Sequence, residues 1–130
     1  MARLRNLGAA FLALGMIELA WVAFCFGGAA LLGIGVLLPD EGKLLLVGSA
    51  AYVILALVNL PIALIHLLAG AKLRQGTATL LLALAAFAAS LVSMVLALYC
   101  SPFTLAVLVY AVVVLADPDA REALDPAPRR

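Results

Sequence analysis

The stretch LGAAFLALGMIELAWVAFCFGG, residues 7–28, carries a single charge, Glu18, in an otherwise apolar run. A helix of about 20 such residues covers the hydrocarbon thickness of a bilayer, so this stretch reads as a membrane span. The rest of the chain repeats the pattern. Apolar runs cover residues 44–71, 77–99 and 102–116, separated by short clusters of charge and turn formers: Pro39-Asp40-Glu41-Gly42-Lys43, Lys72-Leu73-Arg74-Gln75-Gly76 and Cys100-Ser101-Pro102. Hydrophobic residues make up 68% of the 130 residues and charged ones 12%, more apolar surface than a soluble core of this size can hide. None of the runs alternates polar and apolar residues, which excludes a barrel. The expected fold is all-α, a polytopic four-transmembrane-helix bundle over residues 1–116, followed by a charged, Pro-rich tail over 117–130. Pro126 and Pro128 predict that the tail is extended.

The first run continues to Leu38, longer than a span requires. Gly27, Gly28, Gly33 and Gly35 are expected to break it, leaving Leu31 to Leu38 as an interfacial segment. Arg3 and Arg5 ahead of an apolar run also fit a signal peptide, but a bulky Phe24 before Cys25 does not suit lipoprotein processing, and the span reads as a true anchor. The fourth span is short, and its turn is expected slightly below the surface, with Ser101 as N-cap and Pro102 at the first helical position.

Arg3, Arg5, Lys72, Arg74, Arg121, Arg129 and Arg130 fall on one side of this topology, and only Lys43 on the other. Both termini are therefore expected on the cytoplasmic side of the cell membrane, a bacterial inner membrane. A net charge of +1 offers no surface for nucleic acid. The expected partners are the lipid bilayer and further membrane subunits, including copies of the same chain.

Polar residues at depth carry the functional argument. Counted from the inner edge, Glu18, Asn59 and Ser90 each lie roughly 16–20 Å deep at 1.5 Å per residue, and Tyr110 reaches the same layer from the short fourth span. Such a layer is a candidate proton or ligand site. A carboxylate at that depth is costly unless it is protonated, paired or wetted. Two readings follow: a proton- or cation-handling Glu18, or a Glu18 hydrogen-bonded to Asn59 or Tyr110 that ties helices together. Two stripes recur at alternating steps of four and three, Tyr52, Ala56, Asn59, Ala63, His66 and Gly70 in the second span, and Thr79, Ala83, Ala86, Ser90, Ser93 and Ala97 in the third. They suit close packing at the bundle centre or an oligomer interface, or the lining of a pore. His66, near the inner headgroup level, is expected to be an interfacial or inter-helix hydrogen-bonding residue rather than a pH sensor, and Pro61 is expected to kink the second helix. A lone histidine with no cysteine or carboxylate at ligand spacing implies no metal and no cofactor. Cys25 and Cys100 read as structural, with no Cys-x-x-Cys.

With its lone glutamate in the first of four spans, the chain resembles the small multidrug resistance exporters, a likeness that implies proton-coupled export through Glu18. It lacks the Gly-Pro-bearing aromatic signature of their third span. Its second half also resembles small bacterial four-span membrane proteins without assigned activity, through Pro102-Phe103-Thr104, Tyr110, Val112 to Leu115, Asp117-Pro118 and Gly70. That likeness implies topology only. With no nucleophile–base pair, metal cluster or phosphate-binding loop in the sequence, the expected role is a non-enzymatic structural or accessory subunit. A proton-coupled exporter and a homo-oligomeric ion channel are the alternatives.

Overall fold

The computed structural model describes residues 1–35, 42–96 and 101–125. It is all-helical: α1 (Ala2–Gly35), α2 (Gly42–Gln75), α3 (Leu80–Leu96), α4 (Ser101–Ala116) and α5 (Pro118–Leu124). The longest contact is between α1 and α2, an antiparallel pair. α3 packs on α2, α4 on α3, and α4 closes back onto α1, so four helices form a ring with α5 folded under α4.

Small residues set the α1–α2 spacing. A methyl group added to Gly8 would meet the Gly70 carbonyl oxygen at 2.8 Å, and one added to Gly70 would meet the Leu12 amide nitrogen at 2.7 Å. Backbone touches backbone there, as small residues permit between membrane helices. The same register runs the length of the pair: Gly15 lies on Ala63 and Leu67, Gly28 on Tyr52, Gly33 near Ser49 and Gly35 on Leu45. Toward the end of the pair away from Gly8 and Gly70, Ser49 donates to the Ala29 carbonyl at 2.9 Å.

This register corrects one expectation. Gly27, Gly28, Gly33 and Gly35 do not break α1, which stays helical through Gly35. A glycine loosens a helix only where nothing else holds it, and here Gly28, Gly33 and Gly35 fit against side chains of α2. Residues 36–38, like the predicted Pro39–Glu41 turn, lie outside the described residues. Pro61 sits inside α2 and does not end it; the carbonyl of Leu57, four residues earlier, has no amide to accept from at that position.

α2 stops where the sequence places the stop. Gly76 takes a positive φ of 71°, its amide donates to the Leu73 carbonyl, and the Thr77 amide donates to the Lys72 carbonyl at 3.0 Å. That is the Schellman pattern, and it needs the left-handed conformation glycine adopts most easily. α3 then begins at Leu80 rather than at Thr77, because Thr79 caps it: its hydroxyl accepts from the Leu82 amide at 3.3 Å. The predicted 100–102 turn falls partly outside the described residues, including Cys100 and the capping side chain of Ser101; Pro102 lies in the first turn of α4.

The tail departs from the extended form expected. Asp117 is the N-cap of α5, accepting from the Asp119 amide at 3.1 Å, and Pro118 follows at the first helical position. One turn apart, Ala120 and Leu124 are both buried against the main core, and that burial is what folds the segment. Arg121 donates from Nε to the Leu115 carbonyl at the end of α4. α5 is bent 87° from α4. Residues 126–130, with Pro126, Pro128, Arg129 and Arg130, lie outside the described residues.

Two helices among the described residues, α1 and α2, are long and apolar enough to cross a membrane, and the bent pair α4–α5 makes a third if taken as one span. α3 is apolar but shorter, at 17 residues. At 34 residues each, α1 and α2 are about 50 Å long, well beyond the roughly 30 Å of a hydrocarbon core. The outer surface is apolar, and the largely apolar interior holds a small set of polar side chains. Leu31, Leu44, Ile54, Leu57, Leu81, Val95 and Val109 are exposed, whereas Glu18, Asn59, His66, Ser90, Ser93 and Thr104 are buried. In water that outer surface would be one large sticky patch; in lipid it is solvated.

Replacing Gly70 by valine forces the α1 and α2 backbones apart and is expected to cost about 1–3 kcal/mol, as overpacking does. Gly76→Ala, at an open position, is expected to cost about 1 kcal/mol through φ alone. Denaturant titration of the purified protein, followed by circular dichroism, reads both.

Candidate functional site

Three of the buried polar residues, His66, Ser90 and Ser93, gather around Glu18, which stands near the midpoint of α1. Its Oε2 lies 2.6 Å from His66 Nδ1, and its Oε1 accepts from the Ser93 hydroxyl at 2.5 Å. On the other side of the imidazole, Nε2 lies 2.8 Å from Ser90 Oγ and 3.1 Å from the Ala86 carbonyl oxygen. Ser90 in turn donates to that same carbonyl at 2.9 Å, closing back on its own helix. One carboxylate thus reaches α2 through His66 and α3 through Ser93, and Phe11 stacks on the imidazole with ring centroids 5.7 Å apart. Glu18, His66, Ser90 and Ser93 have no exposed surface.

Helix geometry explains why these residues meet. Gly15 faces Ala63 and Leu67, so by count His66 is level with about residue 14 of α1, and Glu18 stands about 6 Å further along the axis. Side chains lean toward the N-terminus of their own helix. In an antiparallel pair Glu18 and His66 therefore lean toward each other and close that gap. Gly15 and Ala63, each three residues away, keep the two backbones near enough.

Of the two expected roles His66 takes the inter-helix one, buried in the bundle as the partner of Glu18, where Asn59 or Tyr110 was expected. Tyr110 does not join the layer: its hydroxyl donates to the Arg3 carbonyl, at 3.4 Å, near the start of α1. The reason is helix length. α4 has 16 residues against 34 in α1, and its end is tied to the first turn of α1 by the 3.2 Å Arg3–Asp117 ion pair, so the midpoints of the two helices do not coincide. Counting back thirteen residues from that tie brings Thr104, completely buried, level with Met16. Thr104 is the polar residue of α4 at this depth, and its position in a Pro-x-Thr turn hid it.

Asn59 is buried but stands apart from the cluster. Its Nδ2 donates to the Leu55 carbonyl of its own helix at 2.7 Å, while Oδ1, among the described residues, has no hydrogen-bond partner. A buried orphan acceptor is unusual and marks this position as a place for a donor such as water. The stripe residues Ala56, Ala63, His66, Gly70, Ala83, Ala86, Ser90 and Ser93 are all buried within the chain's own bundle. In this single chain they pack between its own helices.

The hydrogen-bond geometry also constrains the protons. Oε1 of Glu18 accepts from Ser93, and one proton is shared between Oε2 and Nδ1 of His66. Nε2 faces two acceptor oxygens, and the Ser90 hydroxyl is directed at the Ala86 carbonyl, so Nε2 is best satisfied as a donor. The cluster is net neutral whichever of Oε2 and Nδ1 holds the shared proton, which a low-dielectric interior favours.

The order serine, histidine, carboxylate matches the connectivity of a nucleophilic triad. A nucleophile also needs access and N–H donors for the developing oxyanion. Ser90 is enclosed, and it lies in the interior of α3, where neighbouring amides are engaged in the helix. In this arrangement the cluster holds protons and helices rather than presenting a reactive hydroxyl. Among the described residues no three His, Cys, Asp or Glu side chains converge as metal ligands.

No known protein family, characterised protein or solved structure matches this chain.

Removing Glu18 (Glu18→Ala) leaves the buried His66 ring and the Ser93 hydroxyl without their partner, and the expected loss is about 3–5 kcal/mol. Ser93→Ala leaves a buried carboxyl oxygen unsatisfied and should cost about 1–3 kcal/mol, with Ser90→Ala lower, at about 1 kcal/mol. That ranking, Glu18 above Ser93 above Ser90, is read from denaturation midpoints in one detergent.

Proposed function

We propose that the chain is a four-span integral membrane protein, with both termini in the cytoplasm, that serves as a non-enzymatic structural or accessory subunit of a membrane assembly. α3 and α4 are taken as the third and fourth spans. The observation that carries the reading is the complete enclosure of Glu18, with both carboxylate oxygens engaged by side chains of the same chain. A carboxylate that trades cations with solvent has to be wetted at some stage; one closed off by three helices fixes which helices meet and in what register. That is the use of buried ionic groups with the best physical precedent. Support for the orientation comes from charge: Arg3, Arg5, Lys72, Arg74 and Arg121 gather at one end of the ring and Lys43 stands at the other.

A second reading, proton-coupled export, is favoured by one specific contact, His66 Nδ1 at 2.6 Å from Glu18. A carboxylate and an imidazole that share a proton inside a membrane can exchange it if the bundle opens, and intramembrane ionisable pairs mark proton relays in pumps and transporters.

Glu18→Gln separates the two. Reconstituted in liposomes with an imposed pH gradient, the wild-type subunit is expected to carry no proton-coupled flux of cationic dyes, so the substitution has none to abolish. A wild-type flux that disappears in Glu18→Gln, with the protein still folded, makes the export reading the correct one.

The orientation is tested with the only two lysines, Lys43 and Lys72, which stand at opposite ends of α2. A membrane-impermeant acylating reagent added to right-side-out vesicles is expected to modify Lys43 and spare Lys72. The reverse pattern would invert the topology.

A further inference from the structure

At the end of the ring opposite Lys43, the first turn of α1, the last turn of α2 and the last turn of α5 enclose a cavity of about 220 Å³. Leu4, Leu73 and Leu124 form its walls, all three buried. Arg5 and Arg74 stand at its mouth, both exposed. Arg74 is held toward α1, since its Cγ lies 3.1 Å from where a methyl on Gly8 would be, and Gly8 is one turn from Arg5 on the same helix.

The other described arginines of this end are engaged. Arg3 pairs with Asp117, and Arg121 donates to the Leu115 carbonyl. Among the described residues the side chains of Arg5 and Arg74 have neither an ion-pair nor a hydrogen-bond partner, although both line one small cavity. No acidic residue of the lining answers either charge. An anion bound there answers both. Guanidinium forks suit phosphate oxygens, and the leucine walls suit an apolar chain attached to that phosphate.

We propose that this cavity is a binding site for the headgroup of an anionic phospholipid of the inner leaflet, its phosphate between Arg5 and Arg74 and its glycerol and first methylenes against Leu4, Leu73 and Leu124. Basic pockets between helices on the cytoplasmic side are where such headgroups bind. The leaflet assigned here rests on the proposed orientation, which the lysine labelling tests separately; the phosphate chemistry does not. The site is independent of the Glu18 cluster.

Native mass spectrometry of the full chain in detergent tests this, with phosphatidylglycerol, phosphatidylcholine or inorganic phosphate as the probe. Wild type is expected to retain one phosphatidylglycerol and to lose phosphatidylcholine under the same activation. Arg5→Gln and Arg74→Gln should each weaken retention about five-fold and the double variant about 25-fold, with Lys72→Gln, outside the lining, changing it by less than about two-fold. All are exposed positions, so the variants fold, and unchanged circular dichroism confirms it. Equal retention of the two lipids, wild-type retention in the double variant, or an equal loss in Lys72→Gln overturns the site. Displacement of the lipid by millimolar inorganic phosphate, itself retained, makes the ligand free phosphate and overturns the lipid assignment.

Discussion

An ionisable side chain in the middle of an apolar bundle has to be answered by its own chain, and the answer to Glu18 organises this molecule. Its carboxylate draws His66 from α2 and Ser93 from α3, and His66 extends the chain of contacts to Ser90 and Ala86. Lipid gives helices no hydrophobic reason to choose one another, since acyl chains are as apolar as leucine. Direction must come from close backbone packing and from polar contacts that have nowhere else to go. Gly8, Gly15 and Gly70 supply the first, and the Glu18 cluster supplies the second. They depend on each other: the pair forms only because Gly15 and Ala63 keep the backbones close, and the close approach is worth making because the pair lies beside it.

The ends of the ring follow a different logic. There the chain meets water and headgroups, and the contacts are those of soluble proteins: a Schellman stop at Gly76, a threonine cap at Thr79, an aspartate cap at Asp117. Asp117 also pairs with Arg3, which is 69% exposed, so the ion pair itself contributes little. Its role is positional. It ties the end of α4 to the start of α1 and so sets the level of every residue along the shorter helix, Thr104 included. The burial of Ala120 and Leu124 then folds α5 under the bundle, forming one wall of the cavity that Arg5 and Arg74 border.

The apolar runs, the helix stops and the inward stripes were legible because they depend on composition and on 3.6-residue periodicity, which a sequence displays directly. Glu18, Ser90 and Ser93 were legible as buried polar residues for the same reason. The partner of Glu18 was not. Depth counted from the charged clusters sets His66 short of Glu18, and counting along the axis ignores the opposite lean of side chains on antiparallel helices, which closes the gap. Tyr110 was misplaced by the assumption that span midpoints coincide, which fails when one helix is half the length of another. The unbroken α1 shows that a glycine pair inside an apolar run cannot be read as a break until its neighbour helix is known. Even so, the stripe carrying Ala63, His66 and Gly70 held a usable signal: small residues on either side of a lone histidine mark a place where another helix comes close.

His66 is held in a net-neutral pair with Glu18, one proton shared between Nδ1 and Oε2 and a second on Nε2. Because His66 is the only histidine, nitrogen-15 NMR of histidine-labelled protein reads it without ambiguity. An Nε2–H and a proton shifted far downfield in the short Nδ1–Oε2 hydrogen bond are expected, with the downfield signal lost in Glu18→Gln. A single neutral tautomer in rapid exchange with solvent, unchanged by Glu18→Gln, would contradict the account.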